Sequence, residues 1–231
     1  MSEPNEMRVN YIEKEYGGHL FKFVKTPTAP ALIEEIFNDN YEIFKQNIEI
    51  RPGDVILDIG ANEGIFSIMM AKCFPKAKVI AYEPVPRTFD TLQENVLLNE
   101  TQNLNCYQFG VGDGSYEYTD MIVSKDFSGG STTLCTFNPK DHDRVHVRIT
   151  TLNDIFDVHA IERCRLLKMD VEGMEYEALY ATSVLPKVDY MVAEFHMNAK
   201  LDYQGMRADG LITWVKNQTN LTSVNVCRMA E

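Results

Sequence analysis

Paired cysteines, long apolar runs and positive charge are all scarce in this sequence of 231 residues. Its five cysteines are widely scattered and form no CxxC pair, which fits neither a zinc knuckle nor a disulfide framework and indicates reduced thiols. No segment approaches the roughly 20 apolar residues of a membrane span, and the polar beginning MSEPNEMRVN is unlike a signal peptide. We therefore expect a cytoplasmic protein that does not contact a membrane.

Acidic side chains outnumber basic ones by 34 to 22, which gives a formal net charge of -12. A surface of this sign repels a phosphate backbone unless a local basic patch overrides it, and the sequence contains no such patch. Nucleic acid is therefore a poor candidate partner, and a small molecule is a better one.

The beginning of the chain predicts a hairpin followed by a helical cap. Apolar and polar residues alternate on both sides of Tyr16-Gly17-Gly18-His19, between about Met7 and Lys25, as in a hairpin around a glycine turn. Residues 31–47 carry apolar side chains at helical spacing, with a break allowed near Asn38. We expect this cap over residues 1–50 and a main domain over residues 51–231, within one globular unit. A homodimer formed by exchange of the hairpin between subunits is compatible with this arrangement.

Strand and helix patterns alternate along the rest of the chain, which predicts an α/β fold with a doubly wound, mostly parallel sheet. The predicted strands cover residues 54–59, 78–82, 105–111, 166–169, 190–195 and 222–229, and the predicted helices cover 65–73, 88–98, 174–181 and 207–217. The rhythm changes in the middle, where β-like stretches over 116–123 and 145–150 flank a long loop. We expect a β-rich insertion there, with the loop acting as a lid hinged at residues 128–132.

The turn after the first predicted strand, in the segment DIGANEG, is the strongest candidate for ligand binding. Ligands of doubly wound sheets bind at the carboxyl ends of the strands. Gly60 permits a tight turn close to a ligand, and Gly64 lets the helix pack against its strand. The third glycine of a dinucleotide motif and the Lys-Ser/Thr of a P-loop are both absent. Asp58 would repel a pyrophosphate and suits a cation, so S-adenosylmethionine (SAM), which carries an ammonium and a sulfonium, fits better than NAD.

A second acid lies at the end of the neighbouring predicted strand, in the segment Tyr82-Glu83-Pro84. Glu83 follows Gly64 by nineteen positions. This is the placement expected of an acid that accepts hydrogen bonds from both ribose hydroxyls of a nucleoside.

A further group of polar residues follows two later strands. Asp170 lies at the end of one predicted strand, and Glu194 and His196 share a face of the next by period-two alternation, so we expect the three to converge. They are candidate ligands of one divalent cation, Mg²⁺, Mn²⁺ or Fe²⁺, that polarises the acceptor oxygen. Alternatively, His196 or Asp170 is a general base. In the structural alternative Glu172 caps the next helix and His196 completes a strand end, while Lys168 pairs with a surface acid.

The segments VILDIGANEGIFS, AYEPVPRTFDTLQENV and LLKMDVEGMEYEAL resemble, in order and spacing, those of the FkbM-like SAM-dependent methyltransferases. The resemblance spans roughly residues 54–196, and its DVEGxE segment is the most specific part. It implies a Rossmann-like class I methyltransferase fold and methylation of a hydroxyl group on a small molecule, often a sugar or a natural-product intermediate.

The resemblance also implies roles for individual residues. The methionine end of SAM would be held by Asp58, Gly60, Asn62 and Gly64. The ribose would be bound by Glu83, beside Pro84, and the adenine would lie against the turn that contains Val111 and Asp113. N-methylation of a small molecule, a nucleotide-cofactor oxidoreductase and a non-catalytic SAM sensor remain the alternatives.

Overall fold

The computed structural model describes residues 10–38, 48–125, 132 and 138–228. The chain begins with strands β1 (Tyr11–Tyr16) and β2 (His19–Val24) and helix α1 (Ala29–Phe37). The elements that follow are β3 (Val55–Ile59), α2 (Ile65–Cys73), β4 (Lys78–Tyr82), α3 (Pro86–Asn99), β5 (Leu104–Tyr107), β6 (Gly110–Val111), β7 (Tyr118–Ser124), β8 (His142–Thr150), α4 (Leu152–Val158), β9 (Cys164–Met169), α5 (Glu175–Tyr180), β10 (Val188–Met197), α6 (Ala199–Tyr203), α7 (Ala208–Lys216) and β11 (Asn220–Arg228).

The central sheet has six strands in the order β11-β10-β9-β3-β4-β5, and each neighbouring pair is parallel. Strands buried on both faces are apolar almost throughout, as β3 is. Within β3, Leu57 and Ile59 point into one core, and Ile56 points into the core on the opposite face. The predicted Rossmann-like, doubly wound α/β fold is confirmed.

The N-terminal hairpin forms as predicted, with Gly17 and Gly18 of its turn at positive φ angles of 57° and 81°. Phe21 and Phe23 of β2 are fully buried in the core that also contains α1 and α2. The side-chain oxygen of Asn95 in α3 accepts a hydrogen bond from the backbone of β2 at 2.7 Å. The hairpin therefore packs on the same face of the sheet as α2 and α3.

The predicted helix over 31–47 begins two residues earlier, at Ala29, because Pro30 suits a first helical turn. Its second half, from residue 39 onward, lies outside the described residues, and so does the start of the predicted hairpin.

The predicted β-rich insertion is a sheet of three strands in the order β6-β8-β7. The predicted strand over 105–111 is wrong in one respect, because β5 and β6 belong to different sheets. Between them the amide of Phe109 donates to the carbonyl of Tyr107, which interrupts the strand. Most of the predicted lid, residues 126–131 and 133–137, lies outside the described residues. Thr132 is described, and it forms a bridge to Ile122.

Two short helices, α4 and α6, are absent from the sequence-based prediction. They have seven and five residues, too few for a helical period to stand out. Each begins at a side-chain cap: Thr151 accepts from the amide of Asp154, and Asn198 from the amide of Leu201. No helix among the described residues combines the length and apolar character that crossing a bilayer requires.

The glycine turn after β3 is in direct backbone contact with the end of β9. Gly60 has a φ angle of 80°, and a Cβ atom added there would lie 1.8 Å from the carbonyl oxygen of Asp170. The amide of Asp170 in turn donates to the carbonyl of Ile59 at 3.0 Å. Only glycine fits this contact, because both the φ angle and the missing space exclude a side chain.

We predict that Gly60→Ala destabilises the protein far more than Gly53→Ala. Gly53 also has a positive φ angle, 88°, but a Cβ atom there meets nothing within 4 Å. The Gly53 variant should lose about 1 to 2 kcal/mol from the left-handed conformation alone. The Gly60 variant should lose about 1 to 3 kcal/mol more from the steric clash. Urea unfolding followed by circular dichroism measures both, and equal losses would contradict the close contact.

Candidate active site

A cavity of about 540 Å³ lies at the carboxyl ends of β3, β4 and β9, next to β6. Part of this space is open to solvent, and its position is the one expected for a ligand site of a doubly wound sheet. The residues that line it are Ile59, Gly60, Asn62, Glu83, Pro84, Phe109, Gly110, Val111, Met121, Asp170, Val171, Glu172 and Met174.

Five of the residues predicted to bind the cofactor are among those that line this cavity: Gly60, Asn62, Glu83, Pro84 and Val111. The other three predicted residues are not. Asp58 is fully buried, and Gly64 packs so closely on Leu92 that an added Cβ would lie 2.9 Å from its Cγ atom. Asp113 is exposed and accepts a hydrogen bond from the amide of Ser115 at 2.8 Å.

Glu83 links the loops that follow two neighbouring strands. Its carboxylate accepts hydrogen bonds from the amides of Asn62 and Val85, each at 2.9 Å. Burial raises the pKa of Glu83 to about 7, although these two hydrogen bonds and the charge of Lys168 work against the rise. The acid therefore changes charge near neutral pH while facing the cavity.

Lys168 is buried beside the cavity, between two carboxylates. Its Nζ atom lies 3.4 Å from Oδ1 of Asp58 and 3.6 Å from Oδ2 of Asp170, and it donates to the carbonyl of Gly60 at 2.8 Å. Burial alone would lower the pKa of Lys168, but the charges of Asp58 and Asp170 raise it above its usual value. The expectation of a surface acid as its partner is wrong, because Lys168 lies opposite Asp58 in the register of β3 and β9.

His196 of β10 is buried behind the cavity wall, among three carboxylates. Its Nδ1 atom lies 3.0 Å from Glu175, and its Nε2 atom lies 3.3 Å from Glu172 and 4.0 Å from Asp170. Burial works to lower the pKa of His196, but the hydrogen bond and charge of Glu175, followed by the charges of Glu172 and Asp170, raise it to about 9.

The predicted group of Asp170, Glu194 and His196 is distributed over two groups of side chains. Among the described residues, one set of ligand atoms within 4.8 Å of one another comes from Asp170, Glu172 and His196. The other comes from Glu194, His196 and Cys227, and the Cys227 thiol donates a hydrogen bond to Glu194. Only the first set contains residues that line the cavity, Asp170 and Glu172.

Glu175 is a residue of the site that the sequence analysis did not identify. Its fully buried carboxylate accepts hydrogen bonds from the amides of Val171 at 3.1 Å and Gly173 at 3.0 Å, and it contacts His196. Glu175 therefore binds amides of the loop that precedes α5. The structural alternative, a cap formed by Glu172, is wrong, because no side chain among the described residues caps this helix. The sequence feature that could have identified it is the DVEGxE segment, whose last acid is Glu175.

We predict that Glu175→Gln destabilises the protein by about 3 kcal/mol, because it removes one partner from a buried charged network. The exposed Glu162 provides a matched control, since Glu162→Gln removes the same charge from the surface. Urea unfolding measures the difference. Equal stability of the two variants would show that the contacts of Glu175 contribute nothing to the fold.

A family model and several named relatives indicate a methyltransferase. Residues 58–220 match the family model of the methyltransferase FkbM domain. Methyltransferase 1 of Beauveria bassiana is 27% identical, over 69% of this chain and 71% of that protein. The 31-O-demethyl-FK506 methyltransferase FkbM of Streptomyces tacrolimicus is 27% identical, over 75% and 76%. The hexuronic acid methyltransferase AglP of Haloferax volcanii is 28% identical, over 77% and 69%. Because the family model matches well over half of the chain, this protein belongs to the FkbM methyltransferase family.

Proposed function

We propose that this methyltransferase transfers the methyl group of SAM to a hydroxyl group of a small polar acceptor, such as a sugar or a natural-product intermediate. One observation carries the proposal: a single cavity contains the Glu83 carboxylate and, elsewhere on its wall, Asp170 and Glu172. The first acid suits a nucleoside, and the other two suit an acceptor hydroxyl. The names of two relatives, which specify a 31-O-demethyl substrate and a hexuronic acid, support an oxygen acceptor.

The nucleoside end of the proposal rests on Glu83. A carboxylate offers about four acceptor positions. Two of them are taken by the amides of Asn62 and Val85. The remaining positions suit the two ribose hydroxyls, while Pro84 and Val111 add apolar surface for the adenine.

The reaction is a single displacement, in which a carbon–oxygen bond forms as the carbon–sulfur bond breaks and the sulfonium becomes a neutral thioether. Most of the rate comes from positioning the two reactants. Because the sulfonium loses its charge, unpaired acids beside it would stabilise the ground state more than the transition state. Lys168 balances the charges of Asp58 and Asp170, which limits this effect. Asp170 lines the cavity and is the group that we propose to accept the acceptor proton.

We predict that S-adenosylhomocysteine (SAH) binds the protein and that its affinity depends on the charge of Glu83. Since the pKa of Glu83 is about 7, the carboxylate that accepts from the ribose forms as the pH rises through neutrality. The affinity should fall about tenfold between pH 8 and pH 6 in the wild type. In Glu83→Gln it should be weaker and nearly constant. Calorimetry measures both, and NAD serves as the comparison ligand.

The pKa of Glu83 also predicts that the stability of the unliganded protein falls as the pH rises, whereas the affinity for SAH rises. The pKa of Glu83 is higher in the folded state than its ordinary value of 4.5, so its stabilising contribution is present below pH 4.5 and disappears as the pH rises to about 7.

SAH binding that is equally strong at pH 6 and pH 8, or binding of NAD instead of SAH, would contradict the assignment of Glu83 to the ribose.

The side chains at the acceptor end also suit a divalent cation, which we propose as the alternative to Asp170 acting as the general base. Asp170, Glu172 and Nε2 of His196 would hold it, an oxygen-rich set with one imidazole that fits Mg²⁺, Mn²⁺ or Fe²⁺. Glu175 contacts the other ring nitrogen, as carboxylates behind metal-binding histidines usually do. A bound cation would supply a Lewis acid that polarises the acceptor oxygen.

We predict that Mn²⁺ binds the wild type and binds Glu172→Gln at least tenfold more weakly, while Glu162→Gln leaves its affinity unchanged. Calorimetry with Mn²⁺ alone tests the site without any turnover.

A screen of hydroxyl and amine acceptors with labelled SAM, repeated after EDTA treatment, tests the reaction itself. Full activity after EDTA treatment would exclude a catalytic role for the cation. Methylated amines would favour an N-methyltransferase. SAM binding without any methylated product would favour a non-catalytic SAM sensor.

A further inference from the structure

A second cleft of about 360 Å³ adjoins the cavity described above, on the side of α1. The two spaces share part of their walls, because Gly60, Asn62 and Asp170 line both. The two spaces therefore border the same part of the glycine turn.

The cleft contains an acid that the sequence analysis did not single out. Glu35 of α1 lines it together with Lys168 and Asp170. Burial raises the pKa of Glu35, and so do the charges of Glu194 and Asp170, whereas Lys168 lowers it. A cation brought into the cleft would relieve the repulsion among these acids.

The position of Glu35 is fixed through the glycine turn itself. Glu63 of that turn is buried and accepts hydrogen bonds from the hydroxyls of Thr26 and Thr28, both at 2.7 Å. Thr28 directly precedes α1. The helix that carries Glu35 is therefore attached to the glycine turn, which borders the first cavity.

An uncompensated polar atom lies where the two spaces meet. The Oδ1 atom of Asn62 is buried and has no hydrogen-bond partner among the described residues. A buried acceptor of this kind is costly unless a ligand donates to it. Asp58, by contrast, accepts from Ser67 at 2.5 Å, pairs with Lys168 and lines neither space.

We propose that this cleft binds the amino-acid end of SAM and that Glu35 binds its ammonium group. The inference rests on the proposed function, since it requires a nucleoside in the first cavity. A methionine tail that leaves the nucleoside at the shared residues enters the cleft beside Asn62. There the ammonium meets Glu35, and the carboxylate meets the wall formed by Lys168 and the start of α2.

The test compares SAH with 5′-methylthioadenosine, which has the nucleoside and the sulfur but no amino acid. Glu35→Gln should weaken SAH about tenfold or more, as expected for loss of a hydrogen bond to a charged group. It should leave 5′-methylthioadenosine unchanged. Glu34→Gln, on the exposed side of the same helix, should change neither affinity, and Glu35→Asp should recover part of the affinity for SAH.

The outcomes separate this inference from the proposed function. If the wild type binds neither compound, the proposed function fails. If it binds both and Glu35→Gln binds SAH as tightly as the wild type, the ammonium assignment is overturned, and a changed KM for the acceptor would place Glu35 at the acceptor instead. An equal loss for both compounds also overturns it, and thermal unfolding of Glu35→Gln then shows whether the fold has changed.

Discussion

The buried ammonium of Lys168 is the interaction on which the site depends. A charge removed from water costs several kcal/mol unless other charges and hydrogen bonds replace its hydration. Here the replacements come from three chain segments: Asp58 in β3, the carbonyl of Gly60 in the glycine turn, and Asp170 after β9. The fold is therefore required to bring the glycine turn and the end of β9 together. As a consequence, the backbone of Gly60 lies so close to the carbonyl of Asp170 that no side chain fits at position 60.

A second buried charge, that of Glu175, organises the other end of the site. It accepts hydrogen bonds from two amides of the loop between β9 and α5, and it contacts His196 of β10. These contacts fix the loop that presents Asp170 and Glu172 to the cavity. The two buried charges have opposite signs and lie on either side of Asp170. The acids on the cavity wall are consequently held in place by partners behind the wall, and their exposed edges face the cavity.

The sequence was sufficient for the parts of the site that depend on local order. A glycine turn after an apolar strand, and an acid after the next strand, predicted the positions of Gly60 and Glu83 on the cavity wall. It was not sufficient for the partner of Lys168, because that contact depends on the register of two strands 110 positions apart at Asp58 and Lys168. Burial of Glu175 likewise follows from the packing of α5 against β10, which no local pattern contains.

The N-terminal segment and the glycine turn depend on each other structurally. The family match begins at residue 58, so Glu35, Thr26 and Thr28 lie outside it. Glu63 lies inside it and accepts hydrogen bonds from both threonines. A residue of the family's glycine turn thus positions a helix that the family match does not include. Because the cleft beside that helix shares Gly60, Asn62 and Asp170 with the first cavity, the N-terminal segment contributes to the walls around the glycine turn.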